Sequence, residues 1–395
     1  MRKIKFLTNS FQTGGAERVI SNLSFKLGET NEMELLLFSN KQEMGYPFNG
    51  KVKYLRESNK KDIFSRLLRF FNLILVIKKE KREKNTVLIS FLETPNFLNI
   101  LAKTKNDTII SVRNHMSSKF KSGKSGFLNR IVIRFFYNKA DKIIVVSEVI
   151  KKDLVENFNI NKNKIEVIHN SYGIEKIEMM CLEKVIAEEE IFNKPVIITS
   201  GRLNNQKGHW HLIRSFKKVK ESCPEAKLVI LGQGPLEAYL RSLVLDLDMN
   251  NNIHFLGFQK NPFKYISRSA VFVLSSLYEG FPNSLAEAMI CDIPVISTDC
   301  LSGPREILAP FEKKEVINYE EDRSRFGILI PVCDGVKYNF DDDLTKEENF
   351  LAEEIVKMLN IEEHREYYKI QAKKRINDFH ENRLMEKWKN VFEIQ

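Results

Sequence analysis

Short, unbroken apolar runs recur along the chain, separated by longer stretches in which apolar residues return at helical spacing. In the first half the runs fall at residues 4–7, 34–38, 86–90, 108–112 and 142–146. In the second half they fall at 195–199, 227–231, 253–256, 271–274 and 294–297. Runs of this kind suit strands covered on both faces of a parallel sheet. Their alternation with helical segments predicts doubly wound α/β architecture, twice over. A strand at 165–170 closes the first set. Residues 171–193, rich in Glu and Lys and without a clear strand, read as the linker. The expectation is two Rossmann-like doubly wound domains facing a cleft, one over 1–175 and one over 176–378. A length of 395 residues fits two domains.

Composition sharpens this picture. The chain is 43% hydrophobic and 29% charged, which is globular rather than disordered. The net charge of +10 is concentrated in the first half. Residues 1–175 carry 32 Lys and Arg against 17 Asp and Glu, whereas the remainder carries 30 against 35. The two halves are therefore expected to meet different partners. Two segments of the basic half are amphipathic, 64–76 and 127–136, with Arg66, Arg69, Lys78, Lys79, Arg130 and Arg134 in or near them. Each reads as a helix packing its apolar face on the sheet, and also suits an anionic bilayer surface. No binding motif accompanies the charge, so nucleic acid is not an expected partner.

The five cysteines are scattered, as free thiols of a reducing compartment would be. Met1-Arg2-Lys3-Ile4-Lys5-Phe6-Leu7 reads as the basic start of a strand and lacks the apolar core of a signal peptide. No stretch of about 18 uncharged apolar residues predicts a spanning helix. A cytoplasmic location is expected, peripheral at the inner face of the cytoplasmic membrane. Asp341-Asp342-Asp343 looks like a metal motif but lies in a polar, strand-free stretch that reads as a solvated loop.

The candidate chemistry sits where apolar runs end. After the run at 271–274 comes Tyr278-Glu279-Gly280-Phe281-Pro282-Asn283-Ser284-Leu285-Ala286-Glu287. The pattern is strand, tight turn, helix start. Backbone N–H groups at such a start bind anions, and a nearby carboxylate accepts hydrogen bonds from sugar hydroxyls. Glu279 and Glu287 also suit the ordinary role of acidic residues near a helix start. Gly14 and Gly15 follow the first strand and let backbone approach a ligand closely, or simply form a turn. They are not the Gly-x-Gly-x-x-Gly fingerprint of nicotinamide enzymes. In Gly201-Arg202-Leu203-Asn204-Asn205-Gln206-Lys207-Gly208, a planar guanidinium and a point-charge ammonium suit one diphosphate. Charge building on a departing diphosphate would be stabilised by these cations. Gly232 and Gly234 form a further turn at a strand's C-terminal end, where open α/β sheets bind ligands.

The order of these motifs, together with Phe255-Leu256-Gly257-Phe258 and Ser302-Gly303-Pro304-Arg305-Glu306, resembles the GT-B glycosyltransferases of family 4. The resemblance spans nearly the whole chain and is strongest over 196–308. It implies a retaining transferase that takes a sugar from a nucleotide diphosphate sugar, with no cofactor and no essential metal. It further implies that Arg202 and Lys207 hold the diphosphate and Glu287 the ribose hydroxyls. Glu279 holds the donor sugar's hydroxyls, with Gly280, Phe281, Pro282, Asn283, Ser284 and Leu285 completing the pocket. Gly232 and Gly234 shape it, and Phe258 lies beside the base. Gly14 and Gly15 approach phosphates or acceptor from the first domain, and His115, after a strand end, resembles the family's active-site histidine near the donor sugar. Gln233 departs from the acidic residue common in that turn. Residues 379–395 resemble the family's last helix, which crosses back to the first domain.

These implications set the expected partners: a nucleotide-sugar donor, a glycan or lipid-linked acceptor, and an anionic membrane surface. A uridine diphosphate donor is favoured on family frequency alone. Two other classes share the architecture. A nucleotide-sugar epimerase would interconvert donors with no acceptor present. A non-catalytic binding module would hold nucleotide without consuming it.

Overall fold

The computed structural model describes residues 2–12, 14–38, 44–55, 63–120, 124–310 and 324–393. The chain divides into two compact units, Met1–Ser171 with Asn382–Gln395, and Tyr172–Glu381. Each is built on one parallel sheet.

The first sheet holds seven strands: β1 (Lys3–Thr8), β2 (Glu32–Leu37), β3 (Lys51–Tyr54), β4 (Thr86–Phe91), β5 (Thr108–Val112), β6 (Lys142–Val145) and β7 (Ile165–Val167). Their order is β3-β2-β1-β4-β5-β6-β7. The second holds β8 (Val196–Ser200), β9 (Lys227–Leu231), β10 (Ile253–Gly257), β11 (Val271–Leu274), β12 (Val295–Thr298) and β13 (Ile328–Ile330). Its order is β10-β9-β8-β11-β12-β13. In both sheets the order reverses beside the first strand, between β1 and β4 and between β8 and β11. At such a reversal the following loops diverge and leave a crevice at the strands' C-terminal ends.

Every apolar run read as a strand is one. The sequence reading missed two strands, both at sheet edges. β3 is short and largely exposed, and its Lys-Val-Lys-Tyr carries charges suited to an unpaired edge. β13 is only three residues long, below the length at which an apolar run is distinctive. The segment read as a linker carries two helices, Ile174–Cys181 and Glu189–Phe192, and no strand.

One cation in the basic start of β1 lies in the interior. Lys5 is fully buried, ion-paired to Glu80, to Glu34 at 3.1 Å and to Glu83 at 2.9 Å. Burial alone would lower its pKa, but the three carboxylates outweigh that and raise it. The last helix, Glu381–Glu393, belongs to the first unit. Its Met385, Trp388, Val391 and Phe392 join Phe6, Phe11, Leu23 and Leu35 in one apolar core. In the second unit, Trp210, Leu228, Ile230 and Leu351 are among those that form the core beneath the other sheet.

Of the amphipathic stretch read over 64–76, the side chains up to residue 69 lie outside the described residues, as do those of Thr13 and Phe127. The helix Lys124–Tyr137 splits its apolar residues between two faces. Ile133 and Tyr137 are buried, and Phe136 packs on Phe97 at 5.5 Å between ring centroids. Leu128, Ile131 and Phe135, spaced three and four apart, are exposed. Among the described residues no helix is long and apolar enough to cross a membrane. Asp341, Asp342 and Asp343 are exposed. The backbone carbonyls of Asp342 and Asp343 accept hydrogen bonds from Arg214 at 3.1 and 2.7 Å.

Candidate active site

In the second unit, the loops leaving β8 and β11 meet at the reversal of strand order. Gly208 makes the meeting possible. Its φ of +58° lies in the left-handed region, and a Cβ there would stand 2.5 Å from the Ser275 carbonyl oxygen. Ser275 Oγ in turn donates to the Lys207 carbonyl at 2.9 Å. The close approach seats Lys207 Nζ 2.7 Å from Glu279 Oε1. Ser276 Oγ donates to the same oxygen at 2.7 Å, and Gln206 Nε2 to Oε2 at 3.3 Å. Gln206 Nε2 also donates to the Tyr278 carbonyl at 3.0 Å, so one side chain holds both the loop backbone ahead of Glu279 and its carboxylate. Glu279 is 8% exposed, so this is a charge pair held in a low-dielectric crevice rather than on the surface.

The loop on either side of Glu279 is held by the end of β12 and the turn beyond it. Ser302 Oγ donates to the Gly280 carbonyl at 2.6 Å, and Thr298 Oγ1 bonds the Ser276 carbonyl. The chain then enters the helix Asn283–Ile290, with Pro282 ahead of its first residue. Phe281 is buried against Phe379, 5.3 Å between centroids. Leu285 is buried beneath the helix, and Asn283 Oδ1 accepts from Tyr172 Oη at 2.8 Å. Glu287 is 5% exposed, one turn into the helix. Glu279 and Glu287 are thus both buried carboxylates and not solvated helix-start charges.

The third part of the pocket is a set of interlocked turns. Gly232 has φ +134°, and a Cβ there would lie 2.0 Å from the Gly201 carbonyl oxygen, so the turns after β8 and β9 touch backbone to backbone. Gly232 N–H donates to the Gly257 carbonyl at 2.7 Å, which brings in the end of β10. Leu203 N–H donates to the Gln233 carbonyl at 3.1 Å, and Gly234 lies against Leu203. The Gln233 backbone, not its side chain, therefore makes the turn. Phe258, just past Gly257, is half exposed, as a face on which a base could stack would be. Arg202 is exposed and forms no ion pair among the described residues.

The helix after Gly208, His209–Ser222, is anchored from behind. Glu348 accepts from Arg214 Nε at 3.0 Å and lies 2.8 Å from His211 Nδ1, and all three are buried. Glu348 also closes a capping box with Thr345. At the front, burial and the nearby Lys207 ammonium push the His209 imidazole down to about 3. Burial and the neighbouring Glu279 carboxylate push the Cys300 thiol up.

In the first unit, Gly14 precedes the helix Gly15–Leu27. Glu17 folds back over this start, such that a Cβ on Gly14 would lie 2.3 Å from its Oε2. Burial raises the Glu17 carboxyl above its ordinary value, opposed by its own backbone N–H and by Arg113. The loop after β5 carries Arg113, bonded to Asn170, and then His115. His115 caps the short helix Met116–Lys119. Its Nδ1 accepts from Ser118 N–H at 3.2 Å, and a backbone N–H only donates. In the neutral ring the hydrogen therefore resides on Nε2. Asp153 Oδ2 stands 3.7 Å from Nδ1 and accepts from Ser117 N–H at 3.1 Å, holding the turn that holds the ring.

Sequence reasoning named Lys207, Glu279 and Glu287 without pairing Lys207 with Glu279. It quoted Gln206 and Ser302 within their motifs without giving either a role, and it missed Ser276 and Asp153. The two serines near 276 follow a strand end, which is a usable signal. Asp153 carries none, because it reaches the His115 turn from a different helix, Glu148–Phe158.

Residues 13–176 match the model of Glycosyltransferase Family 4, and residues 183–324 match that of Glycosyl transferases group 1. An uncharacterised glycosyltransferase of Methanocaldococcus jannaschii is 36% identical over 375 residues, covering 93% of this chain and 89% of that protein. The chain belongs to the family 4 glycosyltransferases. It is an enzyme that uses a nucleotide sugar. This glycosyltransferase is also 30% identical over 351 residues to a Campylobacter jejuni enzyme, N-acetylgalactosamine-N,N'-diacetylbacillosaminyl-diphospho-undecaprenol 4-alpha-N-acetylgalactosaminyltransferase. That match covers 87% of this chain and 91% of the relative. Solved structures place the glycosyltransferase in the GT-B fold. HepE of Anabaena, in complex with UDP and glucose, matches with a TM-score of 0.76 at 15% identity, over 99% of both chains. TarM of S. aureus matches with a TM-score of 0.77 at 14% identity, over 100% of both chains.

Proposed function

We propose that the protein is a retaining transferase that moves a hexose or N-acetylhexosamine from a UDP-sugar to a lipid-linked glycan in surface polysaccharide synthesis. The observation that carries this reading is the buried Lys207–Glu279 pair at the β8/β11 reversal, beside the helix that holds Glu287. Lys207 has three N–H donors and spends one on Glu279, which leaves donors for the diphosphate. Glu287 receives the ribose hydroxyls and Glu279 those of the donor sugar. Arg202, exposed at the same loop, closes on the diphosphate as a second cation. Loss of the diphosphate from C1 leaves charge on it, which the cations stabilise. The acceptor hydroxyl attacks C1 on the face the diphosphate leaves, and its proton passes to the departing phosphate oxygen. The choice of UDP is supported by HepE and TarM, both solved with UDP. The choice of acceptor is supported by the Campylobacter relative, whose name specifies a diphospho-undecaprenol.

Calorimetric titration of UDP, GDP and ADP into the metal-free protein tests the donor site. UDP is expected to bind in preference to the other two, and Glu287→Ala to lower its affinity about 10–100-fold by removing a charged hydrogen-bond acceptor. Unchanged UDP binding in that variant would remove Glu287 from the site.

A lipid-linked acceptor calls for attachment to a membrane. The exposed Leu128, Ile131 and Phe135 are interleaved with exposed Arg130 and Arg134, and Lys139 Nζ stands 3.8 Å over the Phe135 ring. The helix Ile63–Lys81 adds exposed Phe71 and Leu75, and both helices pack on the helix Glu93–Leu101 between them. Apolar residues flanked by cations are the composition of an interfacial surface. Sedimentation with anionic liposomes is expected at low salt, falling as salt rises. The double variant Leu128→Ser, Phe135→Ser is expected to reduce the bound fraction severalfold. Absence of binding at low salt would overturn the attachment.

A further inference from the structure

The chain enters the second unit at Tyr172 and leaves it after Glu381. These two passages are paired. Tyr172 N–H donates to the Phe379 carbonyl at 3.0 Å, and Glu381 N–H donates to the Tyr172 carbonyl at 2.9 Å. Tyr172 and His380 form a parallel bridge. Both passages rest on the loop between Glu279 and Glu287. Tyr172 is 3% exposed, and its Oη donates to Asn283 Oδ1 at 2.8 Å. Phe379 is buried and meets Phe281 edge to face, at an interplanar angle of 72°. Arg375 holds Phe379 in turn. Its guanidinium lies 4.6 Å from the ring centroid and donates to the carbonyls of Glu306 and Ile307 at 2.7 and 3.0 Å.

Phe281 and Asn283 thus tie the loop to the paired passages by one ring contact and one hydrogen bond. A shift of the loop at either residue must carry its partner along or break a buried contact, and close-packed interiors resist that. We propose that Tyr172 and Phe379 are positioning residues for donor binding, which couple the loop between Glu279 and Glu287 to the paired passages. This inference rests on the donor site proposed above. A nucleotide held at both ends of the loop fixes Phe281 and Asn283, and through them Tyr172 and Phe379. Neither positioning residue has to touch the nucleotide. The coupling is reciprocal: if UDP orders the passages, loosening the passages weakens UDP by the same factor.

Hydrogen exchange of the full-length protein, with and without saturating UDP, tests the coupling. The amides of Tyr172 and Glu381 carry the pairing. They are expected to exchange about threefold or more slowly with UDP bound. Tyr172→Phe removes only the hydroxyl, and a thermal melt shows that the variant is folded. Its UDP affinity is expected to fall about three- to tenfold, the worth of one buried hydrogen bond. At saturating UDP it should lose the protection at the passages and keep it in the loop from 279 to 287. Phe379→Leu, which keeps an apolar side chain, should do the same through the ring contact. Faster exchange with and without UDP alike, at parental affinity, would reduce both residues to a structural role and overturn the proposal. UDP binding by the parent with no slowing at Tyr172 and Glu381 would overturn it as well. A parent that binds no UDP would overturn the donor site, and this inference with it.

Discussion

Lys207→Ala is expected to lower kcat/KM by about 100–1000-fold, the range seen when a preorganised group that stabilises developing charge is removed. Two effects add. The diphosphate loses a cation as its charge grows in the transition state. Glu279 also loses its ion-pair partner while 8% exposed, and among the described residues keeps only the side chains of Ser276 and Gln206 as donors. A buried carboxylate without its cation costs several kcal/mol or takes up a proton. Lys207→Met, which keeps the side chain's bulk, separates charge from packing and should be as inactive as the alanine variant. The measurement is UDP release from a UDP-sugar with a lipid-linked acceptor, alongside a thermal melt to show that the variant is folded. Turnover within threefold of the parent in a folded variant would dismiss Lys207 as the diphosphate ligand.

The second large effect concerns stability. Trp388→Ala is expected to destabilise the first unit by about 3–5 kcal/mol, the cost of emptying a large aromatic site in a packed core. Trp388 is 1% exposed and stacks on Phe392 at 5.9 Å with an 18° interplanar angle. The protein has only two tryptophans, one in each unit. In the variant, the remaining Trp210 reports the second unit alone. Urea unfolding followed by Trp210 fluorescence should keep its midpoint, while hydrogen exchange in β1 and β2 accelerates. Unchanged exchange there would mean that the last helix contributes little to that core.

Most of the architecture was legible because strands covered on both faces leave continuous apolar runs. β3 and β13 were illegible for opposite reasons, one polar because it is an exposed edge, the other too short to stand out. Lys5 shows a further limit. In sequence it is one of several basic residues near the start, and only the carboxylates of Glu34, Glu80 and Glu83 make it an interior residue. The site divides in the same way. Gly280, Pro282 and the helix after them could be read locally, since turn and helix-start chemistry is written in adjacent residues. The bond between Lys207 and Glu279 depends on β8 and β11 being neighbours, a fact of sheet order that no local pattern carries. Glu287 was legible as a helix-start acid, but its burial was not.

The first unit is discontinuous, and this has a consequence for how the protein is made. Its sheet is translated before the second unit, yet Met385, Trp388, Val391 and Phe392 are translated after it. All of Tyr172–Glu381 must be translated in between, which takes on the order of ten seconds or more. Throughout that interval the nascent sheet lacks the helix that caps Phe6 and Leu35, leaving apolar surface for a chaperone to cover. The half that emerges first is thus the half completed last, and a chain stopped short of its final helix would carry an open core in the first unit.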